Sequence, residues 1–209
     1  IFNHYKFIVQ KLILLELRFP EKFISKALTP YWVLSYLKYR YDTEINDSKR
    51  SIIKQITEKD HSTSDRMILR VSNLNPSTSH CLLYEKIIEL TDGHYPILVS
   101  VDRELSHLID SNIIKLYNKL IICNATITEG RDFAGDPIEA YDKIILSIFY
   151  NCTRPAHSYT KLGLANPPYP FSVPLKSVKP LKNVGAIHVK VVEVYEPECC
   201  EDFEDGHFI

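Results

Sequence analysis

Two apolar runs separated by a Thr-Asp-Gly turn are the feature that most constrains the fold. Residues 86–102 read KIIELTDGHYPILVSVD, with β-branched and apolar residues on both sides of Asp92 and Gly93. An Asp-Gly pair between such runs accepts the positive φ angles of a tight turn, so it is a strong hairpin signal. The sequence therefore predicts a β-hairpin here, with Asp92 and Gly93 as its structural turn.

Other strand-like runs surround the hairpin at residues 67–71, 119–128, 143–150 and 185–195, and residues 103–110 read as one short helix. Short β-branched runs separated by turn signals are typical of a closed all-β unit. The commonest closed unit of this kind is the five-stranded oligonucleotide-binding (OB) barrel, in which turn-rich loops flank the binding groove. Residues 73–80 and 129–141 are the candidate loops.

The residues before the barrel carry helical signals. Residues 2–17 are apolar on almost every face, which predicts a helix with neighbours on more than one side. Pro20 begins a short second helix to residue 28, and the N-cap Thr29 followed by Pro30 predicts a third helix over residues 31–45. A fourth helix, capped by Asp47 or Ser48, is predicted to reach residue 59.

The polar residues 61–65 mark the predicted boundary between the helices and the barrel. We expect a helical segment at residues 1–61, an OB-fold domain at residues 66–196 and an acidic tail at residues 197–209. The predicted fold class is thus α+β, with the helical segment packed on a five-stranded OB-fold β-barrel.

The charges are unevenly distributed, although the formal net charge is only -1. Residues 154–190 contain six basic residues and no carboxylate, whereas residues 193–205 contain seven carboxylates and no Lys or Arg. A basic surface favours polyanions, and the alternative is a set of solvated loops whose charges face water. Both interpretations stay open on charge alone.

The residues give no support for catalysis or for a bound cofactor. No Gly-rich phosphate loop, HExxH motif or paired-cysteine zinc signature occurs. Cys199, Cys200 and His207 could ligate a metal, but adjacent cysteines suit one tetrahedral site poorly. We therefore predict a protein that is not an enzyme and has no catalytic residues, cofactor or metal. Its five cysteines without a CxxC pair fit reduced thiols, and no apolar run is long enough to span a membrane.

Basic and aromatic residues of the barrel are the candidate DNA-binding set. Binding of single-stranded nucleic acid needs cations for the phosphates and flat side chains for the bases, where stacking contributes ~1–3 kcal/mol per base. The alternative is that each aromatic ring packs against its own loop. The candidates are Lys119, Arg131, Arg154, Tyr159, Lys161, Tyr169, Lys176, Lys179 and Lys182.

A second set of basic and aromatic residues lies on and just after the third helix. Core packing in a helical bundle is the simpler interpretation of the helical spacing there. The functional interpretation is a surface that receives an extended acidic partner. The candidates for that surface are Trp32, Tyr36, Lys38, Tyr39, Arg40, Tyr41, Lys49 and Arg50.

Short motifs occur in the same order as in a known family. They are Asn3-His-Tyr5, Phe19-Pro20, residues 37–45 (LKYRYDTEI), residues 89–93 (ELTDG), residues 153–156 (TRPA), residues 159–163 (YTKLG) and residues 183–185 (NVG). With them the chain resembles the DNA-binding region of the type 2 breast-cancer-susceptibility protein family. The resemblance covers the end of the family's helical domain and its first OB fold, so residues 197–209 would lead towards a second OB fold that is missing here.

The resemblance implies a role in the nucleus in homologous recombination. In that family, this region binds a small acidic protein, the one named for deletion in split-hand/split-foot, which threads in extended form across the helical domain and the first OB fold. The family's recombinase binds through repeats absent from this sequence. The chain departs from the family pattern at His94 and at His157-Ser158, where aromatic or basic residues would be expected.

The sequence thus predicts a non-enzymatic DNA-repair scaffold that binds the acidic partner and, more weakly, single-stranded DNA. One alternative is a structural spacer that positions later OB folds and makes no nucleic-acid contact of its own. Another is an OB module that reads RNA or telomeric DNA, which would need sequence-specific contacts.

Overall fold

A computed structural model of the chain describes residues 2–78, 84–180 and 183–195. Helices come first, followed by a sheet with two further helices inserted, which confirms the α+β class. The helices are α1 (Phe2–Arg18), α2 (Pro20–Phe23), α3 (Pro30–Tyr41), α4 (Ile52–Thr57), α5 (Arg103–Asp110) and α6 (Pro137–Ala140). The strands are β1 (Met67–Asn73), β2 (Ile87–Thr91), β3 (Pro96–Val101), β4 (Lys119–Ile122), β5 (Thr126–Glu129), β6 (Ile145–Ile148), β7 (Thr153–Pro155) and β8 (Gly163–Leu164).

Helices α1 to α3 form a layer with a small core of its own. Ile8 and Leu12 of α1 are buried beside Ala27, and α3 packs against them. Helix α3 begins where predicted, because the Thr29 hydroxyl accepts a hydrogen bond from the backbone N–H of Trp32 at 3.4 Å. It ends earlier than predicted, at Tyr41, and a single π-helical turn, Asp42–Asn46, continues it.

Helix α4 packs with the barrel. Its N-cap is Ser51, whose hydroxyl accepts from the backbone N–H of Lys54 at 3.4 Å, so the predicted cap at Asp47 or Ser48 is wrong. Ile52, Ile53 and Ile56 belong to the large cluster that fills the barrel. This packing favours a division between the two units before α4, and the boundary at residues 61–65 stays a prediction.

The strands form one sheet in the order β5-β6-β3-β2-β1-β4-β7, and β8 pairs with β1. Strands β3 and β6 are parallel, and the other pairs are antiparallel. The predicted run at residues 119–128 is interrupted and gives both β4 and β5, and short strands β7 and β8 were not predicted. The strand predicted at residues 185–195 is wrong, since Ala186 forms only an isolated bridge with Ser172.

The sheet curls back on itself. Strands β5 and β4 lie towards opposite ends of the hydrogen-bonded order, yet only residues 123–125 separate them in the sequence. Three residues span roughly 10 Å, so the last residue of β4 and the first residue of β5 must lie near each other. No ladder joins β4 to β5 within the described residues, so the sheet of eight strands is not closed by hydrogen bonds, unlike the closed five-stranded unit that the sequence predicts.

The predicted hairpin, formed by β2 and β3, is confirmed. Thr91 pairs with Pro96 across the turn, and Gly93 has a φ of +92°, a left-handed conformation that favours glycine. The Asp92 carboxylate accepts backbone N–H groups of His94 at 2.8 Å and of Tyr95 at 3.0 Å. It also accepts the N–H of Ile53 at 3.0 Å, so the turn holds the start of α4.

Candidate functional site

Arg40 joins the helical layer to the hairpin turn. Its Nη2 donates to the carbonyl oxygen of Gly93 at 2.5 Å, and its Nη1 donates to the carbonyl oxygen of His4 at 3.2 Å. Burial lowers the pKa of Arg40 to about 10, although nearby Asp92 opposes the shift. The guanidinium therefore points into the junction, so this candidate is already engaged in a structural contact.

Glu44 lies at the same junction and connects three elements. Its carboxylate accepts from Lys54 Nζ at 2.7 Å and from the Tyr95 hydroxyl at 2.9 Å, and it lies 3.8 Å from His4 Nε2. Burial alone would raise the pKa of Glu44, but the hydrogen bonds from Lys54 and Tyr95 outweigh burial and the pKa is lowered. The helices and the barrel consequently present one continuous surface around these contacts.

The other candidates for acidic-partner binding differ in their exposure and in whether they are already paired with other residues. Trp32, Tyr39 and Tyr41 are exposed, while Tyr36 is partly buried with Lys11 Nζ 4.0 Å from its ring. Lys49 pairs with Asp47 at 3.2 Å, and Arg50 pairs with Glu58 and Asp60. Within the described residues, Lys38 is the one cation of this set that has neither an ion pair nor a hydrogen bond.

The face of the barrel that other OB folds use for ligands is covered here. That face is centred on β2 and β3, where Glu89 and Leu98 are directly opposed and buried. The Tyr141 hydroxyl donates to the Glu89 carboxylate at 2.6 Å, and Lys6 of α1 lies 3.8 Å from it. Glu89 and its partners Tyr141 and Lys6 therefore occupy part of this face, which leaves less of it free for nucleic acid.

Lys119 of β4 and Tyr159 lie close together. Lys119 Nζ donates to the carbonyl oxygens of Ser158 at 2.7 Å and Thr160 at 2.6 Å, which holds the loop that carries Tyr159. Tyr159 is 83% exposed, and its ring stacks on that of His157 at 5.2 Å. A stacked pair of exposed rings is a surface on which a base can continue the stack.

Several remaining DNA-binding candidates are engaged with the protein. Arg154 donates to the carbonyl oxygens of Tyr150 and Thr153, and its guanidinium lies 5.5 Å from the ring of Phe171. Arg131 Nε donates to the Ile127 carbonyl at 2.9 Å, and Lys179 lies 3.5 Å from Glu104. Lys161, Tyr169 and Lys176 are exposed, and Lys182 lies outside the described residues.

The structure therefore does not gather the nine DNA-binding candidates into one track. Sequence reasoning selected Lys119 of β4 but missed three cations that the structure places in the same pocket: Lys11 and Arg18 of α1 and Arg70 of β1. Burial lowers the pKa of Lys119, and the three other cations add to the shift. The available signal was Arg70 itself, a charge inside the otherwise apolar run MILRV.

Two features of the described residues concern metal binding and membrane insertion. Among the described residues, His, Cys, Asp and Glu side chains do not come together in groups of three or more that could hold a metal ion. Cys199, Cys200 and His207 lie outside that part of the chain. None of the helices described here is both long and apolar enough to cross a bilayer.

Two family models match the chain in succession. The model described as BRCA2, helical, matches residues 1–48, and the model described as BRCA2, oligonucleotide/oligosaccharide-binding, domain 1, matches residues 51–166. Two proteins of Arabidopsis thaliana, BREAST CANCER SUSCEPTIBILITY 2 homologs A and B, are each 34% identical to the chain over 171 residues. These alignments cover 77% of the chain and 15% of each relative, so the chain spans a small part of the length of the relatives it matches.

Proposed function

The chain belongs to the BRCA2 family, and from that premise we propose that it is a non-enzymatic scaffold for homologous recombination in the nucleus. It binds the small acidic protein deleted in split-hand/split-foot and, more weakly, single-stranded DNA. The strand-exchange recombinase engages the whole protein through other regions. The observation that carries the proposal is the junction at Arg40 and Glu44, because it joins the helices to the barrel and a partner could therefore contact both units.

Binding of the acidic partner is tested first. We expect the partner to bind the wild-type chain in a titration followed by calorimetry, and the affinity to fall as salt rises, since exposed charge pairs are screened. A partner with its carboxylates replaced by amides is the control and should not bind. Equal affinity for both partners would refute an electrostatic basis for the contact.

Binding of DNA is tested by fluorescence anisotropy with labelled oligothymidylate. We expect weak affinity that decreases with salt, because phosphate contacts release counterions. Tyr159→Ala should weaken binding about fivefold or more, since stacking contributes ~1–3 kcal/mol per base. Tyr31→Ala is the matched control, because Tyr31 is also exposed but lies on α3. Duplex DNA and RNA in parallel titrations distinguish single-strand binding from an RNA-reading module.

A spacer function is the rival, and the covered β2–β3 face favours it. Buried Glu89 occupies the centre of the face on which other OB folds bind ligands. A spacer would bind none of the nucleic acids at any salt concentration, with or without the acidic partner. That result would assign DNA binding to other parts of the protein and would leave binding of the acidic partner as a separate question.

A further inference from the structure

Two cysteines lie opposite each other at the end of the ladder between β4 and β7. Ile122 pairs with Thr153, so the next residues in register are Cys123 and Cys152, and the backbone N–H of Cys123 donates to the Cys152 carbonyl at 3.0 Å. In such a hydrogen-bonded pair the Cα atoms lie about 5.5 Å apart and both side chains are on one face of the sheet. Disulfides commonly span that separation. Both cysteines are free thiols and are fully buried.

The two sulfurs hold a strap of the chain, residues 171–186, against the barrel. The Cys152 thiol donates to the carbonyl oxygen of Asn183 at 3.3 Å. Cys123 Sγ accepts a hydrogen bond from the backbone N–H of Phe171. One sulfur therefore contacts the beginning of the strap, and the other contacts a residue near its end.

A small number of further contacts keep the strap in place. The Asn151 side chain donates to the Lys179 carbonyl at 2.9 Å and accepts the Lys179 N–H at 2.8 Å. Val173 is fully buried, and its backbone N–H donates to the Ala186 carbonyl at 2.9 Å. The sulfur contacts are therefore a sizeable part of what attaches the strap.

We propose that Cys123 and Cys152 are a redox modification site, at which a peroxide forms a reversible disulfide that loosens the strap. A disulfide carries no hydrogen on either sulfur, so the Asn183 carbonyl loses its donor when the bond forms. A buried carbonyl without a donor is unfavourable, which shifts the strap towards a detached state. The inference does not depend on which ligands the chain binds.

Cys123 is the sulfur that reacts first. The Cys152 thiol can turn from Asn183 to donate to a Cys123 thiolate, and this hydrogen bond lowers the pKa of Cys123. The same contact, with burial adding to it, raises the pKa of Cys152. The thiolate is the nucleophilic form of cysteine, so the proton resides on Cys152 while Cys123 attacks.

The oxidation proceeds in two balanced steps. The Cys123 thiolate attacks one oxygen of hydrogen peroxide, the O–O bond breaks, and the leaving hydroxide takes a proton from solvent to give a sulfenic acid and water. The Cys152 sulfur then attacks the sulfenic sulfur, and its proton leaves with the displaced hydroxide as a second water. Two thiols and one peroxide thus give one disulfide and two waters.

The strap also controls access to the pair. Both sulfurs are buried, so peroxide reaches Cys123 only while the strap is lifted. A Cβ added at Gly185 would lie 3.0 Å from Cys123 Sγ, so a sulfenic oxygen has no room beneath the closed strap. Thiols are weak hydrogen-bond donors, and local opening of such a segment does not require the barrel to unfold.

Peptide mapping by mass spectrometry tests the site directly. The triple variant Cys81→Ser/Cys199→Ser/Cys200→Ser retains only the two cysteines of the site. After treatment with hydrogen peroxide we expect a disulfide between Cys123 and Cys152 that dithiothreitol reverses. A disulfide that forms only in urea would overturn the proposal, because the pair would then be inert in the folded protein.

Dimedone, which labels sulfenic acids, identifies the sulfur that reacts first. In the triple-variant background, Cys152→Ala should accumulate a dimedone adduct at Cys123 during peroxide treatment. Cys123→Ala should give no adduct at Cys152. An adduct at Cys152 of similar yield would refute the assigned order of attack.

Hydrogen exchange measures the response of the strap. The backbone amides of Val173 and Lys179 should exchange at least about threefold faster in the oxidised triple variant than in the reduced one, since a buried carbonyl has lost its donor. Cys123→Ala in the same background keeps the Cys152 thiol and should show no change with peroxide. Unchanged protection of the strap in fully oxidised protein would refute its dependence on the thiols.

The rate of oxidation tests whether the strap limits access. Asn151→Ala removes both contacts to Lys179 and should speed disulfide formation about threefold or more. Ser177→Ala is the matched control, because the Ser177 hydroxyl donates to the Pro174 carbonyl within the strap itself, and it should leave the rate unchanged. Equal rates with and without Asn151→Ala would refute the strap as the barrier. The mapping experiment stands even if Asn151→Ala folds poorly.

Discussion

The helical layer and the barrel bury apolar residues to very different extents. The barrel core is one continuous cluster that includes α4, α5 and the inward faces of the strands. Among the described residues, the cluster of α1 to α3 has Ile8, Leu12 and Ala27 as buried members, and Phe7 of α1 is buried outside that cluster. Large side chains of the helical layer such as Leu17, Tyr31 and Leu34 are instead exposed. Since buried apolar area is the main source of stability, the barrel is the self-sufficient unit and the helical layer depends on it.

The same Leu→Ala substitution in each core tests this difference most strongly. Leu90→Ala in β2 should lower the free energy of unfolding by about 3–4 kcal/mol, because Leu90 is fully buried in the large cluster. Leu12→Ala in α1 should cost about 2 kcal/mol, since the smaller core can relax around the lost atoms. Urea denaturation of both variants measures the two values. Equal costs would mean that the helical core is as tightly packed as the barrel.

Breaking the junction should separate the two regions. Arg40→Ala leaves the carbonyl oxygens of Gly93 and His4 without a buried donor, which costs about 1–3 kcal/mol. Hydrogen exchange followed by mass spectrometry should show faster exchange in α1 and α3 and unchanged protection in β1 to β3. Lys38→Ala on the same helix is the control. Equal loss of protection in both regions would indicate a single cooperative unit.

Acid should destabilise the junction between the helical layer and the barrel. Burial, with Arg40 adding to it, lowers the pKa of His4, and burial lowers the pKa of His94. The unfolded chain therefore takes up these protons at higher pH than the folded chain, so stability falls as the pH drops below 6.5. The melting temperature should decline between neutral pH and pH 5.5, and His4→Gln/His94→Gln should flatten that decline. An unchanged decline would exclude both histidines as its source.

The smallest effect is expected at the surface of the connection between α3 and α4. Arg50 pairs with Glu58 and Asp60, but exposed ion pairs contribute little because water and salt screen them. Arg50→Ala should leave the urea midpoint unchanged within error at physiological salt. A clear loss of stability would show that these charges hold α4 against the barrel.

The sequence predicts the elements that depend on local chemistry. Thr29-Pro30 gives the start of α3, α5 covers the predicted residues 103–110, and the Asp92-Gly93 turn forms as expected. The strand predicted at residues 185–195 does not form. Alternating apolar residues indicate an extended chain, but they do not show whether a neighbouring strand is present to pair with it. Arg40 was placed on a surface for a similar reason: helical spacing does not reveal which face the barrel covers.

The pocket at Arg70 could not be derived from spacing along the chain. Its four cations come from α1, β1 and β4, and only the fold brings them together. A charge within an apolar strand indicates that something unusual lies at that position, but the sequence does not identify its neighbours. Long-range placement of this kind depends on strand order and register, which local patterns leave undetermined.

The link at residues 123–125 has a consequence for how related chains can vary in length. The backbone N–H of Asn124 donates to the Ser64 carbonyl at 2.9 Å, and the Thr63 hydroxyl donates to the Ala125 carbonyl at 2.7 Å. These two hydrogen bonds hold the link against residues 63–64. Added residues there would let β4 and β5 move apart. The loop at residues 130–136 joins no such pair of sheet ends, although the backbone N–H of Gly135 donates to the Thr57 carbonyl at 3.1 Å. Insertions and deletions among relatives should consequently avoid this short link and accumulate in the loops.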